Sequence, residues 1–336
     1  MTDLGWGFAG ASTWARRYLV PAVRATEGAR PVAVFSTSSE RGPQFARECG
    51  LERSHLSLDA LLEDPAVDVV YVSTTNDLHA TLTIAAAGAG KHVLCEKPLA
   101  MTLEDASRMR ETCRRAGVVL ATNHHLRGAP AVVAARRLID EGAIGEVRSA
   151  RVFHANSLPP ELRTWRLTRP EAGGGAVLDL TVHDADTIRF LLRDEIVEVV
   201  AATASGDLGK GVVEDSAMGV LRTARGVLVS FHDSFTVPHA PTGVEIFGSL
   251  GAIIAQDALA PEPVGRVLLR RDRDVTEIEL PKLRSIYEVA VARFTAAVRG
   301  KGEPLASADV GIASLAVAIA ALESARTGRP VAPRVV

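Results

Sequence analysis

Residues 67–73, Val-Asp-Val-Val-Tyr-Val-Ser, constrain the fold of this chain more than any other segment. The run is almost continuously apolar and rich in β-branched residues. A strand with one wet face alternates polar and apolar positions. A strand without that alternation is covered on both faces, the condition of a parallel sheet between helical layers. Similar short runs recur on either side: residues 6–9, 31–35, 92–95 and 118–122 read as strands. The stretches between them, 15–26, 41–49, 58–62, 76–89 and 102–116, read as helices. Thr102-Leu103-Glu104-Asp105 has the form of an N-cap followed by first-turn acids. This β-α-β rhythm predicts a doubly wound parallel sheet over residues 1–123.

The rhythm changes after residue 123. Residues 146–155 alternate with period two, as do 198–204, 216–222, 227–235, 244–247 and 266–271. Gly-containing turns such as Thr223-Ala224-Arg225-Gly226 point to hairpins and a mainly antiparallel sheet. Helical stretches are expected over 131–141, 177–192, 287–299 and 306–327. The whole is an α/β protein with a second α/β domain over residues 124–336. A length of 336 residues suits two domains. A net charge of −2 argues against a nucleic-acid or anionic-membrane partner. Cys49, Cys95 and Cys113 are unpatterned, which fits a reducing, cytoplasmic setting. The first residues lack the form of a signal peptide. The apolar stretch 312–322 is Ala-rich and too short to cross a bilayer, and reads as a buried helix.

Four segments carry chemistry. Gly10-Ala11-Ser12-Thr13-Trp14-Ala15 follows the first strand and opens a helix, the setting of the dinucleotide fingerprint G-x-G-x-x-G/A. Gly10 supplies the turn and Ala15 close packing, while Ser12 replaces the middle glycine. A helix N-terminus there can receive a pyrophosphate. At the end of the second strand, an NAD site places a carboxylate for the ribose 2′-OH. This chain has Ser36-Thr37-Ser38-Ser39-Glu40-Arg41 instead, and Arg41 with hydroxyls suits the 2′-phosphate of NADP(H). Capping of the following helix by Ser38 or Ser39 is compatible with the same residues. Ser73-Thr74-Thr75-Asn76, with His79 beyond, runs from strand to helix and can line the cofactor's ribose and phosphates.

The third segment, Glu96-Lys97-Pro98, ends an apolar strand. Pro98 turns the chain and fixes Lys97 at a strand C-terminus, where ligands bind in such sheets. The fourth is Gly173-Gly174-Gly175 followed by Asp179 and His183. A spacing of four predicts one shared helix face, with a carboxylate orienting an imidazole that donates or accepts a proton. No metal is expected, because Asp179, His183 and Asp184 do not converge as ligands and no third cluster accompanies them. His124-His125 are expected near the crossing from the first domain to the second.

On Gly10-Ala11-Ser12-Thr13, Glu96-Lys97-Pro98 and Asp179-Leu180-Thr181-Val182-His183 after the glycine run, the chain resembles the glucose-fructose oxidoreductase/inositol dehydrogenase (Gfo/Idh/MocA) family over its whole length. The resemblance implies a Rossmann domain, a C-terminal domain with an open sheet, and NADPH as hydride donor. It places Glu96, Lys97, Asn123, Trp165, Arg166 and Tyr287 near cofactor or substrate. The reaction expected is hydride transfer to a ketone carbon of a cyclic sugar. Lys97 would polarise the oxygen, His183 would exchange the proton and Asp179 would orient His183. Arg166, His124 and Asn123 are candidate contacts to sugar hydroxyls. A sugar or inositol dehydrogenase and a ketosugar reductase of the same family stay open. So does a non-catalytic NADP-binding redox sensor, as does a monomer or a homo-oligomer formed through the C-terminal sheet.

Overall fold

The computed structural model describes residues 2–334. They form two compact units, one of residues 2–125 with Tyr287–Ile312 and the other of Leu126–Ile286 with residues 313–334.

The first unit contains β1 (Leu4–Ala9), β2 (Ala29–Phe35), β3 (Arg53–His55), β4 (Val69–Val72), β5 (His92–Cys95) and β6 (Leu120–Thr122). They form one parallel sheet in the order β3-β2-β1-β4-β5-β6. Helices α1 (Val20–Ala25), α2 (Arg41–Cys49), α3 (Leu58–Leu62), α4 (His79–Gly88) and α5 (Leu103–Ala116) make the crossovers. Val69, Val70, Tyr71 and Val72 are fully buried, as the unbroken apolar run requires. Strand order reverses between β1 and β4, so the loops leaving these two strands diverge and open a crevice at their C-terminal ends. The helix expected over 15–26 is in two parts, a π turn over Ala15–Leu19 and then α1. Pro21 has no N–H to continue a regular ladder, and the widened turn before it accommodates the missing bond.

The second unit contains α6 (Pro130–Asp140), β7 (Val147–Ala155), the short α7 (Trp165–Thr168), a π turn over Val177–Thr181 and α8 (Val182–Leu192). Strands β8 (Ile196–Ala204), β9 (Ser216–Thr223), β10 (Leu228–Ser234), β11 (Gly243–Gly248), β12 (Ala252–Gln256), β13 (Arg266–Arg271) and β14 (Asp274–Ile278) follow. The sheet order is β14-β13-β12-β11-β7-β10-β9-β8, antiparallel except where β7 and β10 run parallel. One face is buried through Val152, Val229, Phe231, Leu221 and Ile246, while Val200, Met218 and Val220 on the other are exposed. This is the expected mainly antiparallel sheet with one open face.

Helix α9 (Ile286–Val298) brings the chain back to the first unit, where Phe294 meets Trp6 edge-on at 5.4 Å. Helix α10 (Ala308–Thr327) is long and apolar enough to cross a membrane, but 67% of its most apolar window is buried in protein. The three cysteines are buried and unpaired.

Candidate active site

The turn after β1 is built for close approach. Gly10 has φ +110°, and a Cβ there would lie 3.0 Å from the Ser73 carbonyl oxygen and from the Thr74 methyl. Only glycine takes that conformation without strain. Ser12 caps the helix start, accepting from the Ala15 N–H at 2.9 Å and donating to Ser73 Oγ at 3.0 Å. The hydroxyl that breaks the glycine pattern therefore ties the first loop to the loop after β4. The N–H groups of Ala11, Ser12, Thr13 and Trp14 donate to no acceptor among the described residues. A tight glycine turn and a set of uncommitted N–H groups fit the pyrophosphate of a dinucleotide.

At the end of β2, Ser36 is buried and Ser38 Oγ accepts from the Arg41 N–H at 3.1 Å. The hydroxyl run thus caps α2, while Arg41 is exposed at its first turn with no ion pair among the described residues. Thr37 is exposed and no carboxylate occupies the strand end itself. Thr74 and Thr75 are half-buried, and Asn76 is buried at the start of a 3₁₀ turn.

Lys97 sits in a firmly held turn. The Lys97–Pro98 peptide is cis. His79, wholly buried at the start of α4, contacts the Pro98 carbonyl oxygen through Nδ1 at 2.9 Å. Burial pushes the His79 imidazole down to about 4, so the ring is neutral at pH 7 and Nδ1–H is the donor. Glu96 is buried and receives hydrogen bonds from Tyr71 Oη, from Asn123 Nδ2 at 2.6 Å and from the Lys97 N–H at 3.3 Å. Desolvation raises both the Glu96 carboxyl and the Tyr71 phenol. Lys97 itself is half-buried, its backbone fixed on both sides. Sequence reasoning did not single out Tyr71. The available signal was a phenol inside a run buried on both faces, where a hydroxyl has to find a partner.

His79 makes one prediction. As pH falls, the unfolded chain takes up this proton near 6.5 and the folded chain only near 4. The contribution of the neutral buried ring is present above about 6.5 and is lost as pH falls towards 4. Between pH 7 and pH 5 the loss is about 2 kcal/mol. His79→Gln is expected to flatten that part of the stability profile in thermal melts at the two pH values. A variant as acid-sensitive as the parent would contradict the assignment.

An aromatic cluster completes the first unit's constellation. Tyr287 is fully buried, stacked on His125 at 4.5 Å and on Tyr18 at 4.9 Å, with Trp14 edge-on at 6.2 Å. Asn123 and His124, which precede His125 at the end of β6, are also buried. Trp14 belongs to the dinucleotide turn, so the cluster joins that turn to the return segment at Tyr287.

In the second unit, the glycine run is a packed element. Gly173 and Gly175 have φ +86° and +111°, and a Cβ on Gly174 would lie 2.8 Å from the Arg166 carbonyl oxygen. The Gly175 N–H donates to that carbonyl at 2.9 Å. Close backbone packing brings the Trp165–Arg166 turn against the segment that carries Asp179. Arg166 Nε then meets Asp179 Oδ2 at 3.3 Å, and its guanidinium lies over the Trp165 ring at 4.7 Å. Glu214 accepts from the Val177 N–H at 3.1 Å and so caps this turn. A spacing of four puts two residues on one face of a regular α-helix, but Asp179 lies in the π turn and His183 in α8. The widened turn changes the angular step between them. Asp179 is half-buried and His183 is buried.

A parallel sheet with a dinucleotide cradle at its switch point, a lysine fixed at a strand end and a buried histidine at a helix start defines a nicotinamide-dinucleotide oxidoreductase. Residues 4–124 match the oxidoreductase family with an NAD-binding Rossmann fold, and residues 132–254 match the GFO/IDH/MocA C-terminal domain. The chain belongs to the GFO/IDH/MocA oxidoreductase family. It is 51% identical to the 1,5-anhydro-D-fructose reductase of Ensifer adhaerens, over 96% of this chain and 97% of that one. The aldose-aldose oxidoreductase of Caulobacter crescentus, solved with glycerol, superposes with a TM-score of 0.90 at 28% identity, covering 98% and 99% of the two chains. A levoglucosan dehydrogenase in complex with NADH and levoglucosan gives 0.86 at 26% identity, covering 99% and 100%.

Proposed function

We propose that this enzyme is an NADPH-dependent reductase acting on the ketone carbon of a cyclic sugar, with 1,5-anhydro-D-fructose reduced to 1,5-anhydro-D-mannitol. The 51% identity to a 1,5-anhydro-D-fructose reductase over nearly the full length of both chains carries this reading. Ser36 and Arg41, at a strand end with no carboxylate, support NADPH. The turn residues Gly10, Ala11, Ser12 and Thr13, with Ser73, Thr74, Thr75 and Asn76, would hold the cofactor's phosphates and riboses. The bound nicotinamide supplies the hydride. Lys97 opposes the negative charge that develops on the carbonyl oxygen, and Glu96, held by Tyr71, Asn123 and the Lys97 N–H, keeps the lysine turn in place. His183 delivers the proton that the oxygen requires, and Arg166 and Asp179 bind sugar hydroxyls.

The test is a substrate panel of cyclic ketosugars run with NADPH and with NADH. The expected result is fastest turnover with 1,5-anhydro-D-fructose and NADPH. Faster turnover of a different sugar, or with NADH, would replace the corresponding part of the proposal. Arg41→Ala checks the cofactor half separately. Loss of a charge-assisted contact worth about 2 kcal/mol raises KM for NADPH about 30-fold and leaves KM for NADH within about threefold. Equal effects on both cofactors would remove Arg41 from the 2′-phosphate site.

A further inference from the structure

The residue after His183 belongs to a second buried cluster that hydride transfer does not use. His154 on β7 and Asp233 on β10 are direct register partners on the only parallel pair of this sheet among the described residues. Both side chains project to the covered face, and Asp184 at the start of α8 meets them there. His154 Nδ1 lies 2.9 Å from Asp184 Oδ1, and Thr181 Oγ1 donates to Asp233 Oδ2. Asp184 and Asp233 are thereby brought to the same buried cluster through His154, and each feels the other's charge. Their other oxygens, Asp184 Oδ2 and Asp233 Oδ1, have no further partner among the described residues. All three side chains are buried, both aspartates to 1% exposure or less. The rings of His154 and His183 are 6.0 Å apart at 52°.

Two neighbouring carboxyls out of water resist ionising together, so protons in this cluster are shared among Asp184, Asp233 and His154. Burial pushes Asp184 up to about 7, and burial with the neighbouring Asp184 charge pushes Asp233 well above its ordinary range. The surrounding charges are otherwise accounted for. Asp186 on α8 is bound bidentately by Arg127, and Asp179 is paired with Arg166. Glu214 caps the π turn, Ala217 is the β9 partner of Asp233, and His232 lies against Phe153, alternate in the strand to Asp233. His183 is the titratable side chain that faces the cluster from the helix.

We infer that His154, Asp184 and Asp233 act as positioning residues, a proton-holding cluster whose charge state sets the pH at which His183 carries its proton. The inference rests on the proposed role of His183 as donor, and goes beyond it by naming what tunes that donor. A change of charge on the His154 ring, 6.0 Å from the His183 ring in a buried setting, acts strongly on that imidazole.

The test is the titration of ¹⁵N-histidine-labelled full-length protein, followed by long-range ¹H–¹⁵N spectra and assigned with His183→Asn and His154→Asn. In the unaltered chain, His154 and His183 are each expected to shift in two steps, because the sites are coupled. In Asp184→Asn and Asp233→Asn, the His183 midpoint is expected to move by more than about half a pH unit. The limb of the kcat–pH profile should move with it, with KM for NADPH unchanged. Independent single-step curves in the parent would overturn the inference without use of any variant. An unmoved His183 midpoint in folded variants would overturn it as well. Failure of the sugar panel would instead count against the proposed reaction, since the titrations need no substrate.

Discussion

Replacing Lys97 with methionine is expected to lower kcat by about 10²–10³-fold while leaving the dissociation constant for NADPH within about threefold. Methionine keeps the length and the apolar stem of lysine and removes only the charge. The turn that carries the residue does not depend on the ammonium. Its frame is the His79 contact to the Pro98 carbonyl, together with the Tyr71 and Asn123 hydrogen bonds to Glu96. A cofactor cradle built from backbone groups around Gly10 and Ser73 is likewise intact in the variant. The deficit therefore falls on the step in which charge appears on the substrate oxygen. Lys97→Arg is expected to recover little, since a planar guanidinium cannot occupy the place of a compact ammonium. Stopped-flow hydride transfer and fluorescence titration of NADPH measure the two quantities separately. Retained single-turnover rate, or a loss confined to cofactor binding, would remove Lys97 from the role of oxyanion stabiliser.

Much of this frame was legible in the order of residues, for physical reasons that differ between the two units. In the first, a continuous apolar run such as Val69–Val72 has only one environment that suits it, and the parallel sheet follows. Pro98 after Lys97 marks a turn by its own covalent geometry. In the second, period-two alternation announces strands one at a time. It does not say that β7 pairs with β10 in parallel while every other neighbour is antiparallel. The juxtaposition of His154 with Asp233 depends on that register, and residues 79 positions apart carry no local sign of it. Tyr71, and Asp184 in any role but that of a discounted metal ligand, escaped notice for a related reason. Each is a polar residue whose partners, Glu96 and Asp233, are brought to it only by tertiary structure. The glycine run was visible, but as a flexible entry to a helix. Its actual service, allowing the Arg166 carbonyl to approach the backbone of Gly174 and Gly175, is a packing requirement between two loops.

His183→Asn is the second large effect expected, a fall in kcat of about 10²–10⁴-fold, the range for loss of a positioned general acid. Asparagine retains a polar amide of similar reach in a buried position at the start of α8. It has no proton to give near neutral pH. The pattern of the loss separates donor from scaffold. With the donor gone, the pH limb assigned to His183 should disappear from kcat, and the solvent isotope effect should rise as proton delivery passes to water. NADPH binding should be unaffected, because the proposed cofactor cradle lies in the other unit and is assembled from its own residues. The contrast with Lys97→Met is then diagnostic. Both variants slow the chemical step, but only His183→Asn changes its pH dependence. Were the two profiles to keep the same limb at the same pH, the proton would come from a group other than His183, and the buried aspartate pair behind it would lose its proposed target.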